Sequence, residues 1–102
     1  MGWQVIIAPS AQTDLADIVR YVAQHNSDAA ARLGYDLITR AESLAGFPEL
    51  GRRVPEFRQP ELREIVCRSY RVIYRINNTR QSLEIIRFWH GARGFPHIPA
   101  KP

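Results

Sequence analysis

Cysteine occurs once in the 102 residues, at Cys67, and lysine once, at Lys101. A single thiol excludes an intramolecular disulfide, and it also excludes zinc sites built on two or four cysteines. Cys67 therefore reads as a small buried hydrophobe. No stretch approaches the ~20 apolar residues of a membrane span. The opening "MGWQVIIAPS" has neither a basic n-region nor a long apolar run, so nothing in it resembles a signal peptide. These absences point to a soluble, cytoplasmic protein with no metal and no cofactor. The length suits one domain over 1–102, with one modest core.

What the chain has instead is arginine, distributed unevenly. Residues 1–51 hold three Arg against six acids. Residues 52–93 hold ten Arg against Glu56, Glu61, Glu64 and Glu84, a surplus of six positive charges. A GC-rich coding sequence explains the preference for Arg over Lys, but not the difference between the halves. Guanidinium groups suit bidentate contact with phosphate or carboxylate, so the second half should face something acidic.

Periodicity gives the elements. "WQVIIA" (3–8) is short, β-branched and apolar, which reads as a strand ended by Pro9. Ser10 suits the N-cap of a helix to about Gln24, whose stripe is Leu15, Ile18, Val19 and Val22. "HNS" breaks the chain, and Ser27 suits the N-cap of a second helix to about Ala45. Its stripe is Ala30, Leu33, Leu37, Ala41 and Leu44, with Gly46 and Pro48 as stop signals. The segment 47–60 reads as an ordered loop. Three strands follow, at 61–67, 70–76 and 82–89; the turn between the last two carries Asn77 and Asn78, which tolerate positive φ. The tail after His90 should be irregular. The order β-α-α-β-β-β predicts an α+β domain, with the N-terminal strand and a helical hairpin packed on one face of a mainly antiparallel sheet.

Alternation then sorts the arginines. On the middle strand Tyr70, Val72, Tyr74 and Ile76 share one face, and Arg71, Ile73 and Arg75 share the other. If the helices cover the first face, Arg71, Arg75 and, depending on register, Arg87 line an open basic surface. Arg71 can instead pair with Glu64 or Glu84 across the sheet. Arg52 and Arg53 can join the basic patch or remain solvated. Arg93 sits between Gly91 and Gly94 just past the last strand, where binding residues concentrate. His90 is the titratable group nearest these arginines, and otherwise a strand-end histidine bonded to a turn. Phe88 and Trp89 read as packing or partner-contact residues.

Four stretches together resemble the RelE/ParE superfamily of type II toxins: "APSAQTDLADIVRYVAQ", "FPELGRRVPEF", "LREIVCRSYRVIYRI" and "EIIRFWHGAR". The resemblance covers nearly the whole chain and implies a toxin neutralised by a cognate antitoxin in a hetero-oligomeric complex. In the ribonuclease branch it implies mRNA cleavage on the ribosome, with Arg71 and Arg93 at the two matching arginine positions; His90 then suits the role of acid or base through its own imidazole chemistry. That branch carries lysines on the strand before the middle one and a late tyrosine. Here that strand reads Glu61-Leu62-Arg63-Glu64-Ile65-Val66-Cys67, and no tyrosine follows Tyr74. Arg63 can supply a cation but not a titratable base. The His90-Gly91-Ala92-Arg93 ending is closer to the ParE branch, which implies inhibition of DNA gyrase without enzymatic activity. On that reading Arg63, Arg71, Arg75, Arg87 and Arg93 are the candidate target or nucleic-acid contacts. The surplus charge also favours an acidic antitoxin segment.

Overall fold

The computed structural model describes residues 2–100; Lys101 lies outside them. The first strand, β1, is Gln4–Ile7. Pro9 both ends it and opens helix α1, Pro9–Ala23, where its missing N–H costs nothing because the first turn has no acceptor for it. Ala8 is the N-cap and supplies no side-chain bond. Ser10, expected at the cap, lies inside the first turn and donates from Oγ to the Ile86 carbonyl at 2.7 Å. The second helix, α2, is Ser27–Ser43; its N-cap is Asn26 and not Ser27, with Asn26 Oδ1 accepting from Ala29 N at 3.0 Å. The expected stripe of α2 is fully inside: Ala30, Leu33, Leu37, Ala41 and Leu44 are all buried. Gly34 lets the helices approach, since a Cβ there would lie 3.1 Å from Val19 Cγ2. Neither helix is long and apolar enough to cross a membrane.

The loop after α2 contains a two-residue strand, β2 (Arg52–Arg53), that the sequence pattern does not mark. Three longer strands follow: β3 (Leu62–Cys67), β4 (Tyr70–Asn77) and β5 (Ser82–His90), then a 3₁₀ turn at Gly91–Arg93. The five strands lie in the order β1-β5-β4-β3-β2. Only the β1–β5 pair is parallel. In the β4–β5 turn the positive φ falls at Gln81, and Asn77 acts instead through Oδ1, which accepts from Arg80 N at 3.1 Å.

The helical hairpin covers the face carrying Ile65, Cys67, Val72, Tyr74, Ile76, Leu83, Ile85 and Phe88. Tyr74 is fully buried; its hydroxyl donates to Pro48 O at 2.7 Å and accepts from Gly51 N at 3.0 Å, which pins the loop to the sheet. Burial pushes the Tyr74 phenol upward.

The opposite face is not open, which corrects the expectation of a bare basic surface. Val54, Leu62, Ile73, Ile86 and Trp89 form a second small core there, with Phe57 and Ile98 packed against it. The loop carrying Val54 and Phe57 and the tail carrying Ile98 form its roof. A bulge in β5 contributes: the register runs Ile73↔Arg87 and then Tyr74↔Ile85, so Ile86 is the extra residue. Ile86 turns inward, and Arg87 falls on the same face as Arg71 and Arg75. This settles the face that register alone decides.

Candidate functional site

Arg71 extends over this second face and is held by two carboxylates. Its Nη1 and Nη2 donate to Glu56 at 2.8 and 2.6 Å, and its Nε donates to Glu64 Oε1 at 2.6 Å. Glu64 is 1% exposed, and its other oxygen accepts from Arg52 Nε at 2.8 Å. Two arginines thus face two carboxylates, and the cluster carries no net charge. The Glu56 hydrogen bond raises the Arg71 guanidinium above its ordinary value, against the opposing effect of burial. The same bond lowers Glu56, again against burial. A depressed carboxylate stabilises the fold above its unfolded pKa, about 4.3, and loses that contribution as pH falls through the lower folded value. Thermal melts from about pH 7 to about pH 3 should therefore show a loss of Tm at the acid end that is smaller in Glu56→Gln.

Arg87 forms the second network. It clamps Asp14 of α1 with Nε to Oδ2 at 2.7 Å and Nη2 to Oδ1 at 2.6 Å. Asp14 Oδ2 also accepts from Phe88 N at 3.1 Å. The position explains the bond. Strand β1 pairs with β5 only as far as Ile85, so the β5 edge beyond it would be bare. Helix α1 runs along that edge and supplies Ser10 and Asp14 to its polar groups. Arg87 Nη1 continues to the carbonyl of His97 at 2.9 Å, which ties down the tail.

Arg93 differs from both. It is exposed, and its guanidinium carbon lies 3.8 Å from the centre of the Trp89 ring. Arg87 approaches the same ring at 4.8 Å. Trp89 Nε1 donates to Gly94 O at 3.2 Å, fixing the ring that Arg93 rests on. Arg53, Arg58, Arg80 and Arg93 are exposed and make no ion pair among the described residues, so the surplus charge sits on loops and rim.

His90 and Arg93 line a groove of about 320 Å³ between α1 and the sheet, with Tyr21, Tyr70, Phe88 and Asp17. His90 Nδ1 accepts from Ala92 N at 3.1 Å, and its ring meets Tyr70 edge to face at 5.1 Å. In the neutral imidazole this bond favours the tautomer with the proton on Nε2.

The sequence-derived residues therefore divide. Tyr70 pairs with His90 and Arg71 with Trp89, so His90 and Arg71 project from opposite faces. The structure brings His90 to Arg93 but not to Arg71. Arg63 lies on the helix-covered face, beside Ile65 and Cys67, and donates to Gly51 O at 2.9 Å. It is thus separated from Arg71, Arg75 and Arg87. Arg75 lies on the second face between Leu62 and Glu84 and is 9% exposed. Asp14 and Glu56 are the partners that sequence reading missed. Asp14 interrupts the apolar face of α1 just before Leu15, which is the one available signal. Among the described residues no cluster of His, Cys, Asp or Glu could cage a metal.

Comparison with known proteins places this geometry. The family described as ParE toxin of type II toxin-antitoxin system, parDE, matches residues 5–95. No curated protein matches the sequence. Among solved structures, the chromosomal ParDE toxin–antitoxin system from P. aeruginosa is similar at a TM-score of 0.70 and 18% identity, over 86% of this chain and 95% of that one. The toxin–antitoxin complex RelBE2 from Mycobacterium tuberculosis is similar at 0.67 and 19%, over 88% and 99%. Both support the fold, which the RelE and ParE toxins share. With the family match spanning residues 5–95, the chain belongs to the ParE toxin family and is the toxin of a type II toxin–antitoxin system.

Proposed function

We propose that this toxin inhibits DNA gyrase by binding it, has no ribonuclease activity, and acts until its antitoxin covers it. The observation that carries this reading is the state of Arg71. Cleavage of an RNA backbone requires a cation free to meet the phosphate, with a base and an acid in reach. Arg71 is committed to Glu56 and Glu64. His90 lies on the other face with its Nδ1 occupied, and β3 offers no lysine. A binding toxin needs none of these groups.

Arg93 is then the contact residue. It is exposed, next to the groove, and pre-oriented by the Trp89 ring. Arginines of this kind dominate interface energy. Arg63, Arg71 and Arg87 act as scaffold. Replacing Arg93 with alanine should weaken gyrase inhibition about thirtyfold, as for the loss of about 2 kcal/mol at an interface centre. Stability should change by less than about 1 kcal/mol, the scale of an exposed cation–π contact. Induction of Arg93→Ala without antitoxin, beside its melting curve, checks both. Growth arrest equal to wild type would remove Arg93 from the contact.

One observation favours the ribonuclease reading: His90 and Arg93 share a groove. That reading predicts that His90→Ala abolishes mRNA cutting while the fold persists. The binding reading predicts that mRNA stays intact with either residue at 90.

A further inference from the structure

The roof of the second face carries charge and aromatic surface that the fold does not use. Arg53 and Arg58 are exposed, and they flank a cavity of about 280 Å³ walled by Phe57, Pro55 and Pro60. No carboxylate lines it. Glu56, the one acid between Arg53 and Arg58 in sequence, accepts from Arg71 through both oxygens. Glu49 and Glu61 lie beyond Arg53, in the neighbouring cavity. The space between the two arginines is therefore cationic, and an anion completes it.

Phe57 also meets Phe95 of the tail, edge to face, with ring centres 5.3 Å apart. Phe57 packs against the small core, but Phe95 is 67% exposed. Most of that ring stays in water, so its apolar area contributes little to the fold. The aromatic pair continues the line of the two arginines across the roof. The prolines at 55 and 60 fix φ on either side of Phe57 and Arg58, which stiffens the cradle before anything binds.

We propose that the roof binds a single strand of nucleic acid, with one backbone phosphate between Arg53 and Arg58 and a base stacked on Phe95. Guanidinium groups match phosphate oxygens, and an open aromatic ring takes the face of any base. A duplex suits the site less, because its base faces are closed within the stack. An acidic peptide also suits it less. Pro55 and Pro60 lack the N–H groups that pair with an extended peptide, and a carboxylate side chain makes no use of Phe95. No histidine or carboxylate lines the cavity, so the strand is held and not cut. The site does not include Arg93, and it stands whether or not the toxin's target is gyrase.

The probe is a fluorescently labelled oligothymidylate of about 12 residues, within the usual single-strand footprint. Its anisotropy, read against the full chain, should show saturable binding that weakens linearly in log salt. Replacing both Arg53 and Arg58 with glutamine should reduce the salt slope by about 0.7, the value for one single-strand phosphate. Phe95→Ala should weaken binding at least about fivefold with the slope unchanged, as for a lost base stack, and Phe95→Tyr should restore it. Arg32→Gln, which removes an exposed arginine of α2 across the sheet, should change neither quantity. The replaced side chains are all exposed, so the variants should melt with wild type. Oligouridylate should bind equally and be recovered uncut. At equal charge, a duplex, thymidine monophosphate and polyglutamate should each compete more weakly than the unlabelled strand. Absence of saturable binding, full affinity in Phe95→Ala, or equal losses in Arg32→Gln and the double variant would each overturn the assignment. So would binding of only one sugar type, or competition by any of those three as strong as by the strand.

Discussion

Replacing Glu64 with alanine should cost about 3 kcal/mol, because removing one partner leaves a buried charge uncompensated. For a chain of this size that is a fall in Tm of about 12–24 °C. The Glu64 side chain has no exposure, and both its oxygens are bonded, one to Arg71 and one to Arg52. Alanine leaves Arg71, itself only 12% exposed, with Glu56 as its remaining carboxylate. It also leaves a void beneath the loop that carries Arg52. Glutamine keeps the volume and one acceptor, but it turns an amide donor toward a guanidinium donor, so it should recover less than half of the loss. Arg52→Ala is the control. That side chain is 66% exposed, and its removal should cost less than about 1 kcal/mol. Chemical denaturation of the three variants checks the order. A Tm for Glu64→Ala within a few degrees of wild type would mean that the second face is held by its apolar core alone.

Asp14→Ala should be as damaging, at about 3–4 kcal/mol, for a different reason. Asp14 bonds Arg87 twice and also the backbone of Phe88, 74 residues away in sequence. Its loss leaves the Arg87 guanidinium without a carboxylate and exposes the β5 edge where β1 has ended. The tail is affected through Arg87, which also holds the His97 carbonyl. Hydrogen exchange at Phe88 should accelerate more than at Ile73 in the sheet centre. Adding Arg87→Met to Asp14→Ala removes the stranded charge, so the double variant should be more stable than the sum of the two losses by about 2 kcal/mol. Strict additivity would show that the two side chains do not depend on each other.

Of these two carboxylates, Asp14 lay beyond the reach of the sequence and Glu64 did not. The stripe from Ala30 to Leu44 and the alternation in β4 were legible, because 3.6-residue and two-residue periods are local properties. The family resemblance followed from ordered motifs. The second face was not legible as covered. Arg71-Ile73-Arg75 alternates like a half-solvated strand, and only the loop and tail turn it into a core. The signal was there in Phe57, within the segment read as an ordered loop, and in Ile98, within the tail read as irregular. Glu64 was a foreseeable partner of Arg71, since they are near neighbours across adjacent strands. Asp14 and Arg87 were not, because their meeting depends on the Ile86 bulge, which no period announces. The site changed accordingly, from a surface of five arginines to one exposed arginine on a tryptophan and several locked ones.

Arg71 and Arg87 serve the fold, and on the proposed function the toxin acts by binding, without cutting RNA. The most direct measurement incubates the purified chain with gyrase and supercoiled DNA, and in parallel with translating ribosomes and a defined mRNA. Inhibited gyrase and intact mRNA are the expected result. Cleaved mRNA with gyrase unaffected, and cleavage lost in His90→Ala, would contradict it.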